Sequence, residues 1–155
     1  MVDPDAFGFI VTDIARMSRA MLERRIAAAS LGITPGEART LLHIAAREGR
    51  RQTQIAERMG VEPMTACSYI DRLEKQGLVV RETDPDDRRA KKVRTTDTAR
   101  QLIDAVVEQA AGMREQTLDG LDPAERETLM AALRRARSNL ARQLSTPLDD
   151  DEAGQ

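Results

Sequence analysis

Apolar residues return at helical spacing along most of the chain. Ile10, Ile14, Met17 and Met21 are separated by four, three and four positions, which puts them on one face of a helix over residues 5–30. Gly32 is expected to end it in the left-handed conformation that glycine tolerates. Thr34-Pro35-Gly36-Glu37 opens the next helix: Thr34 is a good N-cap, Pro35 suits the first helical position, and Glu37 closes a capping box. Leu41, Leu42 and Ile44 form its apolar side, and Gly49 stops it. Residues 53–60 read as a short helix ending on Gly60. Pro63 starts another that runs to about Gln76 and stops at Gly77. Ala66, Ile70 and Leu73 share one face of it, and Thr65, Ser68, Tyr69 and Arg72 lie opposite. Two short helices joined by a tight turn are a helix-turn-helix.

The pattern then shortens. Residues 78–83 read as a strand, Asp84-Pro85-Asp86-Asp87 as turn chemistry, and residues 91–95 as the returning strand. Asp87, Arg88 and Arg89 fall at the hairpin tip, and the ribbon is a wing beside the second helix of the pair. A long helix follows from near Thr96-Asp97, with Leu102, Ile103, Val106, Val107, Ala110 and Met113 as its apolar set, until Asp119-Gly120 interrupts it. Asp122 caps a last helix with Pro123 first and Glu125 third. Leu129, Leu133, Ala136, Leu140 and Leu144 repeat along it at four, three, four and four. From 122 to 145 it spans roughly 36 Å at 1.5 Å per residue. That stripe is too long for one small winged lobe and calls for another helix, from a second copy of the chain.

The expected fold is mostly α with a small β-hairpin wing: a winged helix-turn-helix lobe over 34–95, and a long-helix dimerisation end over 1–33 and 96–145. The acidic stretch 146–155 is expected to be disordered.

Composition supports a helical domain. Of 155 residues, 22 are alanine, 21 arginine and only 3 lysine, and aromatic residues are down to one Tyr and two Phe. A single cysteine excludes an internal disulfide. No apolar run suits a membrane helix, and the first residues lack the basic-then-apolar order of a signal peptide, so a cytoplasmic address is expected. The net charge of −2 hides an asymmetry: residues 50–95 hold 11 Lys/Arg against 8 Asp/Glu, and Arg88-Arg89-Ala90-Lys91-Lys92-Val93-Arg94 packs five cations into seven positions. A basic patch on an acidic chain points to one surface for a polyanion. The sequence carries no phosphate-cradling glycine loop, nucleophile elbow or His-Glu-x-x-His, so neither an enzyme nor a cofactor or metal is expected.

Gln54-Ile55-Ala56-Glu57-Arg58-Met59-Gly60-Val61, then Ile70-Asp71-Arg72-Leu73-Glu74-Lys75-Gln76-Gly77-Leu78-Val79, then Asp84-Pro85-Asp86-Asp87-Arg88-Arg89-Ala90-Lys91 resemble the MarR family of bacterial transcription regulators, with the SlyA branch nearest in the wing. The resemblance covers residues 10–145. It implies a homodimer on a pseudo-palindromic DNA operator, with repression lifted by a small aromatic or phenolic ligand. The ligand would sit in a crevice walled by the N-terminal helix, the His43 helix and the start of the helix at Thr96. The ligand-pocket residues themselves are not identified.

A helix fits the major groove and reads base edges there, so Thr65, Ser68 and Tyr69 are the candidate readers, with Arg72 on the same face. Arg89 can enter a minor groove, where the potential is most negative. The resemblance implies that role for it, with Asp87 holding it in place. Arg88, Lys91 and Lys92 are assigned to phosphates. Many members of the family carry an arginine where this chain has Ser68, which removes a bidentate guanine contact. Arg94-Thr95-Thr96-Asp97 lacks the family's usual apolar residue before the threonine, so a short second strand is expected. The family's peroxide sensors keep their cysteine near the N-terminus, and Cys67 is read as packed and inert. His43, with no ligand-spaced neighbour, is read as structural or pocket-lining. The competing reading is a helical winged-fold protein–protein adaptor that does not bind DNA. The overall acidic balance favours it and the cationic wing opposes it.

Overall fold

The structure is a computed structural model that describes residues 2–144 except Asp86. The expected disordered tail, 146–155, lies outside the described residues, as does the Asp86 position of the turn. The chain divides into two compact units, one ending at Thr117 and one beginning at Leu118.

In the first unit the local signals act where they stand. Helix α1 (Phe7–Ala29) leads to α2 (Pro35–Ala46). The backbone N–H of Thr34 donates to Glu37 Oε2 at 2.8 Å, and Glu37 N donates to Thr34 Oγ1 at 3.3 Å, so the capping box is complete. Helix α1 does not wait for Gly32: it stops at Ser30, which itself takes the left-handed conformation at φ 50°. A serine there gives up the steric freedom of glycine, and Gly32 makes a second left-handed step at φ 76°.

Strand β1 (Arg50–Arg51) follows α2, then α3 (Gln52–Met59) and α4 (Pro63–Lys75). Strands β2 (Val79–Thr83) and β3 (Lys91–Thr95) make the hairpin. The sheet is antiparallel in the order β1-β3-β2, with Val80 opposite Arg94 and Thr83 opposite Lys91. β1 is an element the sequence pattern does not foretell: two arginines, paired with Val93 and Lys92. β3 is as long as β2, against the short strand expected.

One core lies beneath the hairpin, where Leu41 and Ile44 meet Ile55, Met59, Ile70, Leu73, Val79 and Val93. A second joins Leu22 and Ile26 of α1 to Ala38 and to Val106 of α5 (Arg100–Thr117), which enters through a 3₁₀ turn at Asp97–Ala99. Arg25 reaches across α5, donating from Nε to the Gln109 carbonyl at 3.0 Å. Gly112 leaves the space for it, since a Cβ there would stand 2.2 Å from Arg25 Nη2. The other α1 stripe, Ile10, Ile14, Met17 and Met21, faces outward and is exposed.

The second unit holds α6 (Pro123–Leu144). Asp122 Oδ1 accepts from the backbone of Ala124 and Glu125, as the N-cap pattern requires. Leu133, Leu140 and Leu144 of its apolar stripe are exposed on this single chain.

Candidate nucleic-acid interface

Helix α4 is anchored from below. Ala66, Ile70 and Leu73 are buried, which turns Thr65 outward and leaves Ser68 and Tyr69 half-buried at the edge of the same exposed side. Tyr69 leans on the first turn of α2: a Cβ at Gly36 would meet its ring carbons at 2.5 Å and 2.6 Å. Arg72 reaches the same place, 3.6 Å from Glu37 Oε1. Glu37 is buried, and its other oxygen holds the cap of α2. Two of the four expected α4 residues are therefore braced against α2, and the face they share has a fixed pose.

Cys67 is half-buried on α4, with Arg81 Nη2 4.0 Å from its sulfur. Arg81 of β2 ties the strand to α4 through Asp71 and Glu74. Burial works against its charge, but the hydrogen bonds and negative charges of Asp71 and Glu74 prevail and hold its pKa above the ordinary guanidinium value.

The wing is organised around one buried carboxylate in its turn. Asp84 is 1% exposed. Its Oδ2 accepts from Arg51 Nε at 2.7 Å and its Oδ1 lies 3.1 Å from Lys92 Nζ. Arg51 Nη1 also stands 3.7 Å from Asp87 Oδ2. Asp87 Oδ1 accepts the backbone N–H of Arg89 at 3.0 Å, so the contact expected between these two residues runs through the main chain. Arg88 and Arg89 are exposed, and among the described residues neither guanidinium has an ion-pair partner. Lys91 Nζ donates to Thr83 Oγ1 at 2.8 Å, while Lys92 is turned inward to Asp84. A groove of about 370 Å³ separates the tip from the start of α3, with Arg51, Thr53, Arg89 and Lys91 on its walls. Arg51 and Asp84, which hold the wing together here, are not among the site residues the sequence pattern singles out. Their only signal is a long-range pairing of β1 with β3, which no local pattern encodes.

A second cavity, about 270 Å³, opens between α1, α2, the end of α3 and α5. Arg19, Arg39, His43 and Arg58 supply its polar wall, and Leu22, Leu42, Met59 and Met113 its apolar one. Its lining comes from α1 and the His43 helix, with Met59 of α3 and Met113 of α5, and does not include the start of α5. Arg39 bridges two of the walls, from Glu23 Oε1 at 3.4 Å to the Met59 carbonyl at 3.2 Å. Burial lowers the His43 pKa, and the charges of Arg39 and Arg58 lower it further. Among the described residues no cluster of three or more His, Cys, Asp or Glu is placed to hold a metal ion, and no helix is long and apolar enough to cross a membrane.

Comparison with known proteins covers the winged lobe and, for the solved structures, most of the chain. The model of the MarR family fits residues 31–90. A transcriptional regulatory protein for the hcr operon of Thauera aromatica is 36% identical over 105 residues; the match takes in 67% of this chain and 63% of that protein, just under two thirds of its length. The solved structure of the transcriptional regulator PA3341 is 35% identical, with a TM-score of 0.73 over 88% of this chain and 98% of that one. CouR from Rhodococcus jostii RHA1, solved bound to p-coumaroyl-CoA, is 26% identical, with a TM-score of 0.69 over 88% and 92%.

Proposed function

Because the chain belongs to the MarR family of transcription regulators, we propose that it binds a pseudo-palindromic duplex site as a homodimer and represses transcription until a small aromatic or phenolic ligand releases it. The observation that carries the DNA reading is the pairing of an exposed two-arginine wing tip with a braced recognition helix. In this reading α4 enters the major groove with Thr65, Ser68, Tyr69 and Arg72, and Arg89 enters the adjacent minor groove. Arg88 and Lys91 take phosphates, which add affinity without reading sequence. Two lobes set about one turn of DNA apart, roughly 34 Å, convert two weak readers into one strong one.

The dimer end in this reading is built from α1, α5 and α6. The exposed Ile10, Ile14 and Met17 of α1 and Leu133 and Leu140 of α6 support it. These side chains are already about half covered, so taking the rest of each out of water contributes about 1 kcal/mol. The ligand is placed in the cavity beside His43. Its arginines suit an acidic head group, and its leucine and methionine wall suits an apolar ring. A ligand there would touch α1 and the end of α3 together, and α3 leads directly into the recognition helix.

Fluorescence anisotropy of labelled duplexes tests the reading. Affinity for random duplex should fall steeply between low and moderate salt, as counterion release demands, and the winged-fold adaptor reading predicts no binding at all. Benzoate or 4-hydroxybenzoate at millimolar concentration should weaken binding to a selected duplex. Insensitivity to both would remove the aromatic-acid part of the proposal.

A further inference from the structure

We infer that Asp84 is a positioning residue for DNA recognition: its buried carboxylate ties the wing to the start of α3 and so sets the pose in which Arg89 meets the duplex. The inference rests on the DNA-binding reading and goes beyond it, because Asp84 is 1% exposed and has no surface to offer DNA.

The hairpin needs such a tie. Its apolar anchors, Val79 and Val93, lie at its base and middle, and the pairs nearest the tip, Glu82 with Lys92 and Thr83 with Lys91, are polar. Strand β1 reaches only as far as Lys92, so beyond it the ribbon is two-stranded, and such a ribbon is marginally stable in water. The end of the wing is therefore ordered by charge. A carboxylate out of water is destabilising unless it is paired, and Asp84 is paired twice, with cations from two different elements. Arg51 belongs to β1 and immediately precedes α3, and Lys92 belongs to β3. The three side chains thus join the end of β2, its neighbouring strand and the helix-turn-helix. Arg51 then passes the constraint outward, since its Nη1 lies 3.7 Å from Asp87 Oδ2 and Asp87 Oδ1 accepts the Arg89 N–H. The path from Asp84 to Arg89 is Asp84, Arg51, Asp87, then the backbone of the tip. Backbone bonds within the tip follow the same course, with Asp84 N donating to the Ala90 carbonyl and Ala90 N to the Asp87 carbonyl.

A purely structural Asp84 would weaken DNA binding whether or not Arg89 were present. A positioning Asp84 acts only through Arg89, and a double-mutant cycle separates the two. A duplex is first selected from a random pool by the parent chain. Dissociation constants are then measured for the parent, Asp84→Asn, Arg89→Ala and the double variant, on the selected and on a scrambled duplex. Asparagine keeps the shape of the side chain, and Arg51 and Lys92 are exposed enough, at 39% and 29%, to turn to water. Asp84→Asn should weaken the selected duplex about ten-fold and the scrambled one less than about two-fold, and should add less than about two-fold once Arg89 is alanine. Arg51→Gln should show the same dependence on Arg89, and it carries the test if Asp84→Asn does not fold. Parent-like binding by either folded variant, or a ten-fold loss that persists without Arg89, overturns the inference. A parent that selects no duplex overturns the DNA-binding reading and this inference with it, whereas a parent that binds while the coupling is absent overturns only the inference.

Discussion

Arg89 and Lys92 sit three positions apart on one cationic run and do different work. Arg89 is exposed at the tip; Lys92 faces a buried carboxylate. Arg89→Ala should weaken binding to a selected duplex by about 1–3 kcal/mol, the scale of a good protein–base contact, and leave the melting temperature unchanged. Lys92→Ala should act chiefly on stability, lowering it by about 1–3 kcal/mol, less than the full effect of orphaning a buried charge because Arg51 still pairs with Asp84. Titration and thermal denaturation of the same two variants separate these outcomes. The run of five cations was legible in the sequence. Which of them turns inward was not, since that depends on Asp84 being covered, and its cover comes from residues 33 and 8 positions away. His43 adds a pH dependence. Burial, then Arg39 and Arg58, hold its pKa in the folded chain below the ordinary 6.5, so the unfolded chain takes up a proton first as pH falls. The stability due to the neutral ring is fully present above about pH 6.5 and is lost as pH drops through the lowered folded value. Denaturant melts across that range should show the slope, and His43→Gln should flatten it.

Between elements, the contact that sets the reader face is α4 on the first turn of α2. Gly36 is the hinge of that contact, because a Cβ there collides with the ring of Tyr69. Gly36→Ala gains helix propensity of up to about 1 kcal/mol while driving the ring aside, so stability should change little. The duplex preference should change, because Tyr69 leaves its seat. Selecting duplexes with the parent and with Gly36→Ala checks this; identical selected sequences would remove Tyr69 from the readers. Elements with local punctuation were legible beforehand: the Thr34–Glu37 box, the glycines after α3 and α4, and the buried spacing of Ala66, Ile70 and Leu73. Those defined by distant partners were not. β1 is two arginines made into a strand by β3, and the cavity lining draws on Met59 and Met113, far apart in sequence. At the end of α1 the first left-handed residue is a serine, two positions ahead of the expected glycine, which is left-handed as well.

For the whole molecule, two apolar stripes are left in water on the single chain, one on α1 and one on α6. The proposed dimer would cover both. Leu133→Asp with Leu140→Asp should abolish self-association or make the chain aggregate, because a carboxylate buried unpaired at an interface destabilises it by several kcal/mol. In the proposed reading a dimer would also determine what the DNA must look like, since only a pair of lobes reads a pseudo-palindrome. The most direct test is therefore analytical ultracentrifugation of the parent chain, at micromolar concentration, alone and with a selected duplex. A homodimeric regulator predicts about twice 17.2 kDa for the free protein and two chains on each duplex. A 17.2 kDa monomer that leaves the duplex unshifted would contradict it.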